Sequence, residues 1–397
     1  MSTDSPSPTR AATRRALLAA IGPRADGLAR LLSDRPVAAA VDWDWLIERA
    51  VTHRVGALVA ARVAGCAVAD GPPGSARARL DDIRREAAER AAAAQQTLRE
   101  LAAALDERRI PFLLVKGSIL AELVYGDPLI RPFYDVDVIV RREALADAEA
   151  LLRSWHYRMD GAWPLLGRRP AAPSARDAGD VAARRFYLRV FHNLSYAPAR
   201  GDARRPIELH WHIVPHGRLR VREEQLWART CAVQVAGVAL QALDTEATVI
   251  HLAVHALEAW FHGFKLLHLC DVAWTVSAWE VRHAGLWALA DAWGAGYHVE
   301  LALRLVDHLW SVPAARALLV GRRPSAWMRA SVRLAGSERV LVDGRSDAAH
   351  TWPRRAAVEL AWGLAVRGLR AKLGFGIARR VAAARWRLSR WRSAPAD

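Results

Sequence analysis

The spacing of apolar positions divides the chain into stretches of different texture. From about residue 13 to 66, apolar side chains recur three and four residues apart, as in "DWDWLIERAVTHRVGALVAARVAG", which predicts a run of amphipathic helices. "DGPPGS" breaks that pattern, and Ser75 then opens a long Ala/Arg/Glu-rich helix reaching about Arg109. At Ile110 the period changes. "IPFLLV" is a short continuous apolar run and predicts a buried strand. "KGS" follows as a turn, and "SILAELVYG" predicts a two-turn helix opened by Ser118. "DVDVIV", 135–140, predicts a second strand, with a helix from about Glu143 to Trp155 after it. "RFYLRVFHNLSY" and "RPIELHWHIV" alternate at period two, as an antiparallel pair of strands would. From about 222 onward the pattern is helical again, with a linker around 335–353. The segment 161–184, rich in Gly, Pro, Ala and Arg, reads as a mobile loop. No internal repeat is present.

The expected fold is therefore α+β. A core with a mixed sheet at 110–221 lies between an N-terminal helical region at 13–109 and a C-terminal helical domain at 222–335. Residues 1–12 read as a disordered Ser/Pro tail, and 336–397 as a linker and basic helical tail.

Composition narrows the class only slightly. At 397 residues the chain has room for two or three packed units. No apolar run approaches the roughly 18–20 residues that span a bilayer. The polar, acidic start makes a poor signal peptide. Cys66, Cys231 and Cys270 are isolated from one another, which argues for a reduced, cytoplasmic setting and against a cysteine zinc site. The net charge of +16 is almost all arginine, the lysines being Lys116, Lys265 and Lys372. Much of it sits at the end: Arg354 to Asp397 holds eleven basic residues against Glu359 and Asp397.

The chemistry concentrates where the period is two. A strand sends alternate side chains to one face, so Asp135 and Asp137 emerge side by side and repel. A hard divalent cation such as Mg²⁺ takes oxygen ligands and offsets that repulsion. A two-metal site needs a further acid, and in "RPIELHWHIV" Glu208, His210 and His212 share the face opposite Ile207, Leu209, Trp211 and Ile213. Upstream, Gly117 and Ser118 lie where a strand turns into a helix, a place for phosphate, with Lys116 and Arg131 as nearby positive charge.

This order of strand, Gly-Ser, helix, D-x-D strand and later acid resembles the DNA polymerase β-like nucleotidyltransferase superfamily. "LLVKGSILAELVYGDPLIRPFYDVDVIV" and "IELHW" resemble more closely the uncharacterised nucleotidyltransferase family, and the likeness spans roughly 45 to 280. It implies a polymerase β-like core, with Asp135, Asp137 and Glu208 as metal-binding and catalytic residues and Gly117 and Ser118 on the nucleotide phosphates. It further implies a Mg²⁺-dependent transfer of an NMP, AMP foremost, from an ATP-like NTP to an acceptor hydroxyl, two ions taking part. The interval between Ser118 and Asp135 is longer than in the wider superfamily. No residue identifies the acceptor, which could be a small molecule, a peptide or a protein.

Other features have blander readings. His251 and His255, four apart with Glu258 a turn on, read as core or capping histidines, since no H-E-x-x-H accompanies them. Lys265 and Asp271 read as members of a salt-bridged helix. "RRVAAARWRLSRWRSAPAD" interleaves Arg with Trp386 and Trp391, as a membrane-surface or nucleic-acid contact would. The competing reading of the chain is a catalytically inactive protein that binds a nucleotide or a partner, with that tail making the contact.

Overall fold

Why the acids of "DVDVIV" emerge on one face is settled by what their alternate neighbours bury against. The computed structural model describes residues 8–66, 71–159, 192–215, 218–262 and 264–343. The loop expected at 161–184 and the basic tail lie outside these residues.

The chain opens with α1 (Pro8–Ile21), α2 (Gly27–Leu32), α3 (Arg35–Ala39), α4 (Trp43–Thr52), α5 (Gly56–Ala64) and the 34-residue α6 (Gly74–Glu107). Helix α1 begins at Pro8, inside the stretch whose composition reads as tail, because Ala12, Ala16 and Leu17 bury one side of it. Asp42 caps α4 by accepting a hydrogen bond from the Trp45 amide. Pro73, not Ser75, stands at the N-cap of α6.

The sheet follows as β1 (Phe112–Leu114), β2 (Val136–Val140), β3 (Arg158–Met159), β4 (Asn193–Ala197), β5 (Ile207–His210), β6 (Thr230–Val235) and β7 (Val238–Leu243). Among the described residues it has seven strands in the order β3-β4-β5-β2-β1-β7-β6. The β2–β5 and β1–β7 pairs are parallel and the others antiparallel, so the sheet is mixed, as expected. The antiparallel β4–β5 pair matches its alternation. The β6–β7 hairpin, by contrast, falls in a stretch read as helical. Its turn is Ala236–Gly237, both at positive φ, in place of the Asn-Gly that signals such a turn in sequence.

Short helices α7 (Gly117–Ile119) and α8 (Leu145–Ser154) leave the first two strands. The expected two-turn helix after Ser118 is one α-turn continued as a π-turn over Leu120–Val124. Beyond β5 come α9 (Glu223–Trp227), α10 (Thr245–His262), α11 (Leu266–Ala278), α12 (His283–Trp293), α13 (Gly296–Trp310), α14 (Pro313–Leu318), α15 (Ala326–Ala335) and α16 (Glu338–Val342). No described helix is long and apolar enough to cross a membrane.

Two cores flank the sheet. Val136, Val138 and Val140 of β2 and Ile207 and Leu209 of β5 pack against Leu98, Leu101 and Leu105 of α6 and Leu151 of α8. Ile139 points the other way, into a core that joins Leu17, Ile21, Leu46 and Ile47 to Leu266, Leu269, Leu303 and Val306. The N- and C-terminal helices, far apart in sequence, thus share one interior. Trp310 Nε1 donates to the Leu18 carbonyl at 2.8 Å and Trp274 Nε1 to the Ile21 carbonyl at 3.0 Å, fixing that junction. Period two then assigns Asp137, Glu208 and His210 to the face that these helices cover.

Candidate active site

Register brings the acids together. In the parallel β2–β5 pair, Asp137 lies directly opposite Glu208. Asp137 is 4% exposed, while Glu208 is half-buried. His210, two residues along β5, turns Nε2 toward both carboxylates, 2.9 Å from Asp137 Oδ1 and 3.2 Å from Glu208 Oε2. Asn193 of β4 donates from Nδ2 to Glu208 Oε2 at 3.0 Å. Asp135 stands just before β2 on the same face.

Lys116 enters this cluster from the turn after β1. Its Nζ lies 2.9 Å from Asp137 Oδ1, 3.8 Å from Glu208 Oε2 and 3.5 Å from His210 Nε2. The backbone there has φ 56° and ψ −119°, a region that clashes with Cβ and costs about 1–3 kcal/mol in a residue other than glycine. Lys116, rather than Ser118, occupies the helix N-cap. The Ser118 hydroxyl is buried with no hydrogen-bond partner. Gly117 is required for close approach: a Cβ there would meet Phe133 Cβ at 2.8 Å and Arg131 Nη1 at 3.4 Å.

Arg131 therefore reaches the Gly117 turn, but its other two nitrogens are engaged elsewhere. Nε and Nη2 donate to Asp271 Oδ1 and Oδ2 of α11 at 3.1 and 2.7 Å, and the Tyr125 hydroxyl donates to Asp271 Oδ1 at 3.0 Å. Asp271, expected within a salt-bridged helix, pairs instead with a residue outside that helix, 140 positions away.

The electrostatics are uneven. Burial, together with the neighbouring Asp137 and Glu208, pushes the Asp135 carboxyl up to about 7. Burial also opposes ionisation of Glu208, but the His210 hydrogen bond and the Lys116 charge outweigh it and hold Glu208 below its ordinary range. Lys116 shows the complement: burial disfavours its ammonium, and Asp137 and Glu208 more than offset that.

Other residues near the site stand outside the expected site set. The His192 ring lies 5.7 Å from His210. His251 and His255 of α10, read as core histidines, are followed by His268 of α11, 4.9 Å from His255 ring to ring. Burial, with the Lys116 charge adding to it, keeps His251 and His255 neutral. The i, i+4 spacing on an apolar helix was their one mark. Arg54, at positive φ between α4 and α5, lies over Tyr134 at 5.2 Å and beside Asp135, bringing a cation from the N-terminal helices.

The donor set suits a metal ion. Asp137, Glu208 and His210 each present a ligand atom, all within 4.8 Å of one another. That group differs from the expected Asp135, Asp137 and Glu208: His210 joins it and Asp135 stands beside it. Two carboxylates and an imidazole accept divalent first-row metals as well as Mg²⁺.

A family model described as uncharacterised nucleotidyltransferase matches residues 39–311. Among solved structures, the solution structure of the antibiotic-resistance factor ANT(2'')-Ia matches with 14% identity and a TM-score of 0.29, over 52% of this chain and 88% of that one. No curated protein matches the chain.

Proposed function

The chain belongs to the uncharacterised nucleotidyltransferase family, and from that premise we propose that it moves an NMP, AMP foremost, from an NTP to an acceptor hydroxyl with release of pyrophosphate. The observation that carries this reading is the convergence of Asp137, Glu208, His210 and Lys116 beside the Gly117–Ser118 turn.

Asp135, Asp137 and Glu208 would hold divalent ions, Mg²⁺ foremost, with His210 adding a nitrogen donor. Bound there, such ions supply positive charge to the triphosphate and acidity to the acceptor hydroxyl. Glu208, held ionised by His210 and Lys116, serves first as a ligand and second as a proton acceptor. Gly117 lets the backbone approach the phosphates, and the Ser118 hydroxyl gains its missing partner from a phosphate oxygen. Lys116 and the Nη1 side of Arg131 bring positive charge to the same place. The acceptor oxygen bonds to the α-phosphorus as the bond to the bridging oxygen breaks. Pyrophosphate leaves with that electron pair, and the hydroxyl proton passes to a carboxylate or to water. The helices carrying His251, His255 and His268 supply the acceptor side.

Calorimetric titration of the four common NTPs with Mg²⁺ into wild type and into Asp135→Asn/Asp137→Asn tests this reading. Metal-dependent binding should appear in the wild type and vanish in the variant. Binding that persists in the variant, or needs no metal, overturns it.

A further inference from the structure

We propose that Lys116 is the resident counter-ion of the acid site: its ammonium holds Asp137 and Glu208 together in the nucleotide-free protein and is exchanged for the incoming divalent metal. This rests on the carboxylates being a metal site and adds to it how the site stays folded without metal and where Lys116 goes.

Two independent observations carry it. The first is where the backbone strain lies. Positive φ falls on Lys116 although Gly117, which adopts such angles freely, is the next residue and does not take one. The turn could have used its glycine for that role; instead the strained residue is the one whose side chain is sent into the acids. The second is the set of atoms Nζ meets. Asp137 Oδ1, Glu208 Oε2 and His210 Nε2 surround it at 2.9, 3.8 and 3.5 Å, and the same three side chains form the metal-capable group. An ammonium and a divalent ion cannot both occupy one donor set, because each would repel the other at contact distance in a largely dry site. Lys116 is 13% exposed at its side chain. Its flexible four-carbon stem starts at the N-cap of α7, beside the Ser118 hydroxyl that has no partner. Leaving the acids, the ammonium swings about that anchor to the side where phosphate would lie. Lys116 is in this sense a positioning residue for the empty site and a phosphate contact for the loaded one.

The three lysines of the chain make the exchange readable one residue at a time. Wild-type protein would be trace-labelled with an amine-acylating reagent in EDTA, in saturating Mn²⁺ or Mg²⁺ without nucleotide, and in metal with a non-hydrolysable NTP analogue. Peptide mass spectrometry then reads Lys116 against Lys265. Labelling of Lys116 should be slow in EDTA, rise about tenfold with metal alone, and fall again with the analogue. Metal that binds by calorimetry without raising Lys116 labelling overturns the exchange and leaves the transferase reading intact. Failure of any metal to bind removes both. Lys116→Met supplies a second measurement: in the absence of nucleotide its Mn²⁺ dissociation constant should be about tenfold lower than that of wild type. An unchanged or weaker affinity speaks against the proposal, and if the variant does not fold, the wild-type labelling decides alone.

Discussion

Two charged clusters lie inside this protein, and they are built to opposite plans. Around Arg131, one cation meets one anion. The guanidinium and the Asp271 carboxylate pair through two hydrogen bonds, Tyr125 adds a third, and Tyr125 itself stacks on Trp274 at 4.5 Å. Around Lys116, that ammonium and the Arg54 guanidinium beside Asp135 face the three carboxylates of Asp135, Asp137 and Glu208. Buried polar atoms there lack partners as well: Ser118 Oγ and the Nδ1 atoms of His192, His210 and His268. The closed cluster ties the Gly117 turn to α11, with both Asp271 oxygens engaged and the Nη1 side of Arg131 facing the turn. The open one has more carboxylates than cations and unfilled hydrogen bonds, a difference from the structural pair that supports the metal and nucleotide reading proposed above.

Substitutions should separate the two. Asp137→Asn or Glu208→Gln should lower transferase turnover by about a thousandfold or more, because charge stabilisation at the transferred phosphate is lost. In EDTA neither should lower the melting temperature by more than a few degrees. An Asp137→Asn protein that turns over normally would break the comparison at once. Arg131→Met should do the reverse to stability, removing about 3–5 kcal/mol by stranding Asp271 as a buried unpaired charge. Urea unfolding measures it, and Arg131→Met/Asp271→Leu should recover most of the loss. A smaller effect is expected of Gly117→Ala. Its Cβ must displace Phe133, which should destabilise the protein by about 1–3 kcal/mol and raise the KM for NTP.

The pH dependence sharpens the contrast further. Asp135 holds its proton up to about 7 in the fold but releases it near 3.8 when unfolded. The native state therefore binds the extra proton across that window, and this group's contribution to stability falls as pH rises through it. In EDTA, Asp135→Asn should flatten that part of the melting-temperature profile, and divalent metal should flatten it in the wild type. Glu208, depressed instead, contributes stability above its unfolded value and loses it as pH falls. The smallest change belongs to Arg54→Ala, which should raise the KM for NTP by a few-fold and leave the melting temperature within about a degree, since its ring contact is with the half-buried Tyr134.

What could be read from the sequence was local. β1, the Gly-Ser turn, the D-x-D strand and the polar face of β5 each follow from a period or a turn residue within a dozen positions. The rest depended on tertiary structure. Nothing near Arg131 reveals Asp271, and no propensity puts a lysine at positive φ beside an available glycine. Period two puts His210 on the polar face of β5, but only the β2–β5 register brings it beside Asp137. The β6–β7 hairpin is not legible in sequence because Ala-Gly is a weak turn signal and Val, Ala and Leu serve both helix and strand.

The parallel pairing of β2 with β5 also has a consequence in time. Lys116 and Asp137 are 21 residues apart, whereas His210 is 73 from Asp137. During synthesis at about 5–20 residues per second, the first half of the site leaves the ribosome several seconds before β5 exists to complete it. Until that strand docks, the nascent chain holds a lysine against a single aspartate strand and no full set of donors. The three-residue donor group thus forms only when β5 pairs with β2, and it does so before β7, the later partner of β1, has been made.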